Sequence, residues 1–515
     1  MNLQEKFLAV DFGSTHLKAG LFDSDFSLLR SAAVDVALMQ QEGGPVIDPA
    51  WAGESVFRLI REVLVDDDPA TVAGVGIASM AETGLLLDRA SGQFVTPLLP
   101  WFHRGAEGQV DYITRSAENF PDGLRWSGIA ANFKNPLAKL LWLRDVQSVP
   151  LAGRTWLSAA DFLLYLLTGE AATDFSLAGR TLGFDISARV WNEAWLADFR
   201  LPYGLFPRAL QAGSIMGYLA EPAARLCGLP SGIPVTVAGH DHVCAALAAG
   251  VTRPGPLLDS MGTAEALVGA FSSRPLTEDD ERIGLLYGCH VIPGMMYWMG
   301  SLSTSGGSVE WLRGILGGDP PITYEALNRL AEALPDEPGE IIFLPYLNGS
   351  GAPHADPLAR GALIGLRAYH TRADIYKAVL EGTAYEMEHI RAAAGKELLG
   401  MEAERIIAIG GGTRNRRWMQ IKADVSGQAI DLLASPEATL TGAAMLAGAA
   451  SGAFPSAVEA ARQFAQAQGE PVRILPNADR HRAYQNIYQN GYLPLQAGAR
   501  AYSHFIAGLR QGKIT

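Results

Sequence analysis

Cysteine is scarce in this chain, which has three of them in 515 residues: Cys227, Cys244 and Cys289. Because they are odd in number and far apart, we expect neither a disulfide framework nor a zinc site, and we predict a reducing, cytoplasmic location. The chain also lacks a window of about 20 residues without polar or charged groups, so no transmembrane helix is expected. Its first residues, MNLQEKFLAVDFG, lack the charged, apolar and small-residue regions of a signal peptide.

Positively charged residues are also fewer than negatively charged ones. The 41 lysines and arginines face 54 aspartates and glutamates, which gives a net charge of −13 at pH 7. This balance disfavours a general binder of nucleic acid or of anionic membranes. Apolar residues make up 48% and charged residues 18% of the chain, as is typical of globular proteins. At this length we expect two or more domains of roughly 100–250 residues each.

The segment FLAVDFGSTHLKAGLF near the N-terminus predicts a β-hairpin with an unusual tip. Its two apolar runs are joined by a glycine turn, which is a hairpin pattern. Gly13 lets an anion approach the backbone, Ser14 and Thr15 carry hydroxyl donors, and Lys18 adds a positive charge. Asp11 offers the hard oxygen that Mg²⁺ prefers. The tip suits a nucleotide phosphate, although an ordinary surface hairpin explains the pattern nearly as well.

Two further glycine turns follow along the chain. In PLLDSMGTAEALVGAF, Gly262 and Thr263 repeat the opening arrangement at half the chain length, which suggests a duplicated domain rather than two unrelated hairpins. In RIIAIGGGTRN, three glycines lie between a buried-type strand and a helix that begins near Asn415, so a ligand could lie against the backbone there. We expect the small-residue helix TLTGAAMLAGAA to pack behind these glycines. The sequence GxxxxGK[ST] is absent, so an ATP site in this chain would not be a P-loop.

The order of the predicted elements indicates an α/β architecture. The first ~90 residues alternate strand-like runs with one helix of 3.6-residue periodicity, ESVFRLIREVLVD, which is typical of an α/β sheet. Residues 100–230 hold more helical patterns, such as NPLAKLLWLRDV and ADFLLYLLTGE. We interpret this region as an insertion that forms a wall of a cleft.

Together these motifs resemble the FGGY family of carbohydrate kinases over most of the chain, from residue 6 to residue 490. The segment GALIGLRAYHTRADIYKAVLEG fits the family's C-terminal pattern completely. The second family pattern, around NPLAKLLWLRD, matches at Pro136, Lys139, Trp142 and Asp145. It departs from the family at Lys134 and Val146.

The resemblance implies a fold and a domain division. The expected fold is α/β, with two ribonuclease H-like (actin-like ATPase) domains flanking a central cleft. Residues 1–247 would form the N-terminal domain, which binds the sugar and carries the catalytic base. Residues 248–490 would form the C-terminal domain with the adenosine site, and residues 491–515 a C-terminal tail.

The resemblance also assigns roles to single residues. Asp241, in AGHDHVCAALAAG, falls where the family has its catalytic base, which takes the proton of a sugar hydroxyl as its oxygen attacks the γ-phosphorus of ATP. A helix N-cap is the other interpretation of this residue. His240 and His242 are expected as its neighbours, and Asp11 would hold Mg²⁺. The implied ATP-binding residues are Gly13, Ser14, Thr15, Lys18, Gly262, Thr263, Gly306, Gly411 and Asn415.

The substrate positions match the family less evenly. The implied substrate-binding residues are Met80, Glu82, Trp101, Arg104 and Asp241. Xylulose kinases usually have Met-His where this chain has Met80-Ala81, and glycerol kinases usually have Arg-Glu where it has Ala81-Glu82. The usual basic partner is missing in both comparisons. Trp101 occupies an aromatic position that packs on the carbon face of the substrate, although a lone tryptophan is more often part of a core.

The resemblance therefore predicts an ATP- and Mg²⁺-dependent kinase of a sugar or polyol hydroxyl, with a ketopentose such as xylulose as the first choice. Glycerol, erythritol, tetruloses and hexuloses stay open as substrates. The alternatives of a different class are a non-kinase ATPase of the actin fold and a non-catalytic regulator that binds sugar and nucleotide. The expected partners are the small-molecule substrate and ATP or ADP, with no nucleic acid and no membrane, and a homodimer is compatible with this interpretation.

Overall fold

The computed structural model describes residues 5–318, 320–395 and 403–510. Within them, two mixed β-sheets of six and seven strands form the centres of two α/β halves. The strands are β1 Lys6–Phe12, β2 His16–Phe22, β3 Leu28–Asp35, β4 Leu38–Gln41, β5 Gly44–Ile47, β6 Val72–Ser79, β7 Gly84–Asp88, β8 Arg154–Ser158, β9 Ala172–Asp174, β10 Phe184–Asp185, β11 Val190–Trp191, β12 Arg208–Leu210, β13 Gly217–Tyr218, β14 Pro234–His240, β15 Pro256–Met261, β16 Glu265–Ser272, β17 Leu286–Cys289, β18 Met295–Leu302, β19 Ile342–Leu344, β20 Ala362–Ile364, β21 Arg405–Ile409, β22 Ile430–Leu432 and β23 Val472–Ile474.

The helices surround the two large sheets. They are α1 Pro49–Val63, α2 Val110–Glu118, α3 Pro136–Asp145, α4 Ala159–Thr168, α5 Phe175–Ala178, α6 Glu193–Asp198, α7 Glu221–Cys227, α8 Asp241–Ala248, α9 Glu278–Ile283, α10 Gly306–Gly317, α11 Tyr324–Glu332, α12 Arg372–Ala393, α13 Arg416–Ser426, α14 Ala438–Ala450, α15 Ala457–Gln468, α16 Ala478–Ile487 and α17 Leu493–Arg510. Among the helices described, none combines the length and the apolar character that crossing a membrane requires.

The two large sheets follow one plan. The N-terminal sheet has the order β13-β14-β6-β1-β2-β3, in which β14, β6 and β1 are parallel and β1, β2 and β3 form an antiparallel meander. The C-terminal sheet has the order β17-β18-β16-β15-β21-β22-β23, with β15, β21 and β22 parallel and β15, β16 and β18 antiparallel. Each Gly-hydroxyl turn joins the first two strands of its meander. The repeated plan agrees with the internal similarity of the sequence.

Helix α14 extends from the C-terminal half onto the N-terminal sheet. It packs on β1, β6, β14 and α8, not behind the three glycines that follow β21, where we expected it. The backbones are in contact: a Cβ on Gly76 would lie 2.1 Å from the Ala443 oxygen, and one on Gly442 would lie 1.9 Å from the Cys244 oxygen. Small residues allow this close approach, but they do not indicate in the sequence which distant surface the helix approaches.

Two hydrophobic clusters contain side chains from both halves. In the first, called the shared cluster, Phe7 and Ala78 of the N-terminal sheet pack with Leu258 of β15 and Leu440 of α14. The second is mainly C-terminal and also includes Phe184 and Ile186. The three cysteines are buried free thiols in different clusters: Cys227 lies in the N-terminal core, Cys244 in the shared cluster and Cys289 in the mainly C-terminal cluster. The halves are therefore joined through apolar packing as well as through the chain.

Candidate active site

Asp241 is the first residue of α8, directly after β14. The N-cap position belongs to His240, so the N-cap interpretation of Asp241 is wrong by one residue. Asp241 Oδ1 accepts a hydrogen bond from the His242 backbone N–H at 2.6 Å and lies 3.2 Å from His240 Nε2. Burial raises the pKa of the Asp241 carboxyl, while the charge of His242 opposes the increase. The His242 N–H thus orients the carboxylate, and His240 lies beside it as expected.

Asp11 lies on β1, opposite Lys18 on β2. Burial raises its pKa well above the usual range, and the negative charge of Asp241 adds to the increase. Within the described part of the chain, Asp11 Oδ1 is buried and has no hydrogen-bond partner. A desolvated carboxylate oxygen without a partner suits a hard divalent cation such as Mg²⁺.

Glu82 has a basic partner that its own sequence neighbourhood does not provide. Glu82 Oε1 accepts hydrogen bonds from Arg180 Nε, at 2.9 Å, and from Arg180 Nη2. Both side chains are nine-tenths buried. Burial alone would lower the pKa of Arg180, but the charge of Glu82 raises it overall. The pair is therefore a fixed, charged element, and both of its members also act electrostatically on Asp241.

Lys139 connects the two loops that carry the predicted substrate residues. Its fully buried Nζ donates to the carbonyl oxygens of Glu82 at 2.7 Å, Leu99 at 3.1 Å and Pro100 at 2.8 Å. Burial lowers the pKa of Lys139 to about 7. Glu82 has a left-handed backbone, with φ of 59°, which is costly for a residue other than glycine. The bond from Lys139 helps to hold this conformation.

The other predicted substrate residues differ in their surroundings. Met80 is buried in the N-terminal core. Trp101 is half-buried, and Lys134 Nζ lies 4.8 Å from the centre of its ring. Arg104 is exposed, and its guanidinium forms an ion pair with Glu107 at 2.5 Å. Arg104 thus contributes to the surface of the Trp101 loop, away from the buried Glu82–Arg180 pair.

A large cavity of about 1100 Å³ lies in the C-terminal half. Five of the predicted ATP-binding residues line it: Gly262, Thr263, Gly306, Gly411 and Asn415. The glycine at 306 is required by packing, because a Cβ there would lie 2.5 Å from the Gly262 oxygen. The backbone N–H of Gly306 donates to that oxygen at 3.1 Å. The start of α10 and the Gly262–Thr263 turn therefore form one continuous wall of the cavity.

Asn415 is the N-cap of α13, and its Oδ1 accepts from Trp418 N–H at 3.0 Å. Its Nδ2 donates to Tyr376 Oη at 2.8 Å and to Asn328 Oδ1 at 3.0 Å. All four residues line the cavity. Two arginines follow Asn415 in the sequence: the first is exposed, and Arg417 donates to backbone oxygens near residue 335.

The N-terminal hairpin tip contributes to a different surface. Gly13 N–H closes the turn on the His16 oxygen at 3.0 Å, Ser14 is half-buried, and the Thr15 side chain is exposed. Lys18 Nζ bonds both carboxylate oxygens of Glu437, at 3.0 and 2.8 Å, immediately before α14. Lys18 therefore connects the two halves in this structure.

Arg180, Tyr376 and Asn328 were not singled out in the sequence analysis. Arg180 is 98 positions from Glu82 and lies after a short helix, in a segment without a recognisable motif. Tyr376 lies within the family's C-terminal pattern, which identified its helix but not its role. The signal in the sequence was that Glu82 lacked the usual basic partner. A search for a basic residue elsewhere in the chain could have led to Arg180.

Two family models describe the chain. The N-terminal domain of the FGGY family of carbohydrate kinases matches residues 6–248, and the C-terminal domain matches residues 258–451. The chain belongs to the FGGY family of carbohydrate kinases. This FGGY kinase is accordingly a phosphotransferase with the two-domain, actin-like ATPase fold of the family.

Relatives of this FGGY kinase are named for different substrates, glycerol and xylulose among them. It is 30% identical over 448 residues to a glycerol kinase from Gloeobacter violaceus, covering 86% of this chain and 88% of that protein. It is 25% identical over 493 residues to a xylulose kinase from Bacillus subtilis, covering 94% and 96%. The structure of a xylulose kinase from Rhodospirillum rubrum matches with a TM-score of 0.83 at 25% identity, covering 97% of this chain and 100% of that one.

Proposed function

We propose that this FGGY kinase transfers the γ-phosphoryl group of ATP to a hydroxyl of a ketopentose such as xylulose, with Asp241 as the general base. The observation that carries the proposal is a set of buried charged groups in the N-terminal half: Asp241 held by the His242 N–H, Asp11 with an oxygen that has no hydrogen-bond partner among the described residues, and the Glu82–Arg180 ion pair. We assign them the roles of base, cation-binding carboxylate and substrate-binding pair. In phosphoryl transfer, such positioning and electrostatic support supply most of the acceleration.

In the proposed reaction, Asp241 accepts the proton of the substrate hydroxyl while the hydroxyl oxygen attacks the γ-phosphorus. Asp241 Oδ1 is held by the His242 N–H, which leaves Oδ2 for the proton. Glu82 and Arg180 would bind neighbouring hydroxyls of the substrate, since a carboxylate accepts and a guanidinium donates. The half-buried ring of Trp101 would cover the carbon face of the sugar.

The C-terminal cavity would bind ATP, with the adenosine near Asn415 and the phosphates near the Gly262–Thr263 turn. Asp11 would hold Mg²⁺, directly or through water, and its partnerless Oδ1 supports this role. A Mg²⁺ ion held there supplies neutralisation of the phosphate charge of ATP. Gly13, Ser14, Thr15 and Lys18 are proposed to approach the phosphates from the N-terminal half.

Glycerol or a related polyol is the second candidate substrate. The relative with 30% identity is a glycerol kinase, and Arg180 gives Glu82 the basic partner that the comparison with glycerol kinases lacks in sequence. The ketopentose leads because the xylulose kinase relatives match over 94% of this chain against 86% for that glycerol kinase.

The test is ADP release with MgATP and a panel of ketopentoses, tetruloses, hexuloses, pentitols, erythritol and glycerol. Xylulose or another ketopentose should stimulate release most strongly, and Asp241→Asn should abolish the stimulation. Stimulation by glycerol alone would replace the ketopentose by the second candidate. A flat panel from a protein that still binds MgADP would favour the regulator, and a protein that binds no nucleotide would contradict the kinase proposal.

A further inference from the structure

Three charged side chains lie buried together beside the nucleotide cavity, in a place where the family patterns quoted above assign none. They are Asp259 of β15, Glu265 of β16 and Lys422 of α13, with side chains that are at most 3% exposed. Lys422 Nζ donates to Asp259 Oδ2 at 3.0 Å and to Glu265 Oε1 at 2.5 Å. Buried charges are retained at a high desolvation cost, so their placement calls for an explanation.

The first link of this cluster leads to the hairpin that carries Gly262 and Thr263. Asp259 precedes this turn on β15, and Glu265 follows it on β16, where Met261 is its register partner. Lys422 therefore bridges the two strands on either side of the turn. The two carboxylates on either side of the turn thus share one ammonium group.

The second link leads to α10. Glu265 Oε2 accepts a hydrogen bond from Ser305 Oγ at 2.6 Å, inside the core. Ser305 immediately precedes α10, and its backbone N–H donates to the Thr263 oxygen at 3.0 Å. Two hydrogen bonds thus hold the start of α10 at this turn: one from the Ser305 side chain to Glu265 and one from the Ser305 backbone to Thr263.

The third link is α13 itself. Its N-cap, Asn415, and its first-turn residue Trp418 line the cavity, and Lys422 lies one turn further along, 5.9 Å from the Trp418 ring centre. A residue at i+4 lies on the same helix face. Lys422 therefore ties the adenosine side of the cavity to the phosphate side.

We propose that Lys422 is a positioning residue for the nucleotide: through Asp259, Glu265 and Ser305 it fixes the spacing between the Gly262–Thr263 turn, the start of α10 and the start of α13. This inference rests on the proposed function, because it assigns the C-terminal cavity to ATP. Lys422 acts through other residues and does not contact the reacting atoms. Affinity for the nucleotide, rather than turnover, is the property that it controls.

Two conservative variants interrupt the cluster without removing its lysine. Ser305→Ala removes the hydrogen bond to Glu265, and Glu265→Gln leaves one carboxylate for one ammonium, so both proteins are expected to fold. We expect each to weaken the binding of MgADP, measured by calorimetry without sugar, by roughly tenfold. The double variant should bind MgADP no more weakly than the weaker single variant, because the Ser305 bond and the Lys422 bond act in series through the same Glu265 carboxylate.

The matched control is Asp424→Asn on the same helix. Asp424 is a buried carboxylate whose Oδ2 accepts from Arg480 Nε at 2.6 Å, facing α16. This control should lower the melting temperature yet leave the MgADP affinity at the wild-type value. Lys422→Arg should bind MgADP more tightly than Lys422→Met, and if Lys422→Met does not fold, the Ser305 and Glu265 variants decide.

If Ser305→Ala and Glu265→Gln bind MgADP as tightly as the control Asp424→Asn does, the inference is overturned and the proposed function is left intact. Additive losses of MgADP affinity in the double variant would also overturn the inference, because the Ser305 and Lys422 bonds to Glu265 would then act independently. A wild-type protein that binds no MgADP would overturn the nucleotide assignment and this inference together.

Discussion

At the scale of single residues, burial and neighbouring charges have opposite effects on the ionisation of Asp241, the proposed base. A carboxylate must be ionised to accept a proton, and its burial works against ionisation. The His242 charge and the His242 N–H both favour the ionised form. The proposed reaction depends on the fixed position of this carboxylate and on its electrostatic interaction with Asp11 and Glu82.

Asp241→Asn tests that position directly. The amide has nearly the same shape but cannot accept the hydroxyl proton, so we expect kcat to fall by about 100- to 10,000-fold. MgADP binding should stay at the wild-type level, because Asp241 does not line the cavity that we propose for ATP. Coupled ADP release and calorimetry measure the two quantities, and wild-type turnover in this variant would remove Asp241 from the role of base.

His242→Gln tests the electrostatics. The charge of His242 lowers the pKa of Asp241 against the effect of burial, so its loss should raise that pKa. The base is active above its pKa, and the acid limb of the kcat/KM profile should therefore move to higher pH. His504→Gln, whose imidazole pairs with Asp356 on the C-terminal side of the molecule, is the control and should leave the profile unchanged. A shift to lower pH in His242→Gln would contradict this account.

Most residues of the proposed site lie in motifs that the sequence analysis singled out, and their roles stay predictions; Arg180 is an exception with a physical cause. Asp11, Gly262 and Asn415 belong to local motifs in which a turn fixes the neighbours of each side chain. Arg180 belongs to no such motif, and its partner Glu82 is 98 positions away. A contact of this kind is set by how the insertion folds back on the sheet, which periodicity does not report.

At the scale of elements, the glycines of β6 and α14 determine how close the two halves approach. Gly442→Ala would place a Cβ 1.9 Å from the Cys244 oxygen, an atom of the α8 backbone that cannot move aside easily. We expect a loss of about 1–3 kcal/mol in the free energy of unfolding, as for other overpacked cores.

The matched control for Gly442→Ala is Gly498→Ala in α17, where a Cβ would have no atom within 4 Å. There the better helix propensity of alanine should raise stability by as much as about 1 kcal/mol. Urea unfolding measures both variants. Equal effects of the two substitutions would show that the contact between α14 and α8 is looser than described.

The strands and helices themselves were largely predictable, because hairpins and amphipathic helices are local patterns. Both Gly-hydroxyl hairpins form, and α3, α4 and α14 lie where their sequence patterns predict helices. The partner of α14 was predicted wrongly, since a helix rich in alanine and glycine fits any flat backbone surface. The identity of that surface depends on the arrangement of residues more than 350 positions away in β1 and β6.

At the scale of the whole molecule, the shared hydrophobic cluster should make unfolding a single transition. Separation of the halves would expose Phe7, Leu258 and Leu440 to water at once, and exposure of apolar surface is the main cost of unfolding. The stability of each half thus includes the contact with the other.

Chemical labelling of the three buried thiols tests whether unfolding is a single transition. Cys227, Cys244 and Cys289 belong to the N-terminal, the shared and the mainly C-terminal cluster. A pulse of thiol reagent followed by mass spectrometry measures the unfolding of each cluster across a urea series. We expect the three midpoints to coincide. Labelling of Cys227 and Cys289 at clearly different urea concentrations would show that the halves unfold separately.

The division of the two sites along the chain bears on how such a protein diverges. The cavity proposed for ATP is lined by residues between 261 and 418, whereas Glu82, Trp101, Arg180 and Asp241 all come earlier in the sequence. Mutations confined to the first 250 positions can therefore alter which alcohol is accepted while this cavity is inherited unchanged, provided that they spare Asp11 and the hairpin tip proposed to approach the phosphates. Such exchanges must preserve the surface beneath α14, so Gly76 limits which N-terminal halves can be exchanged.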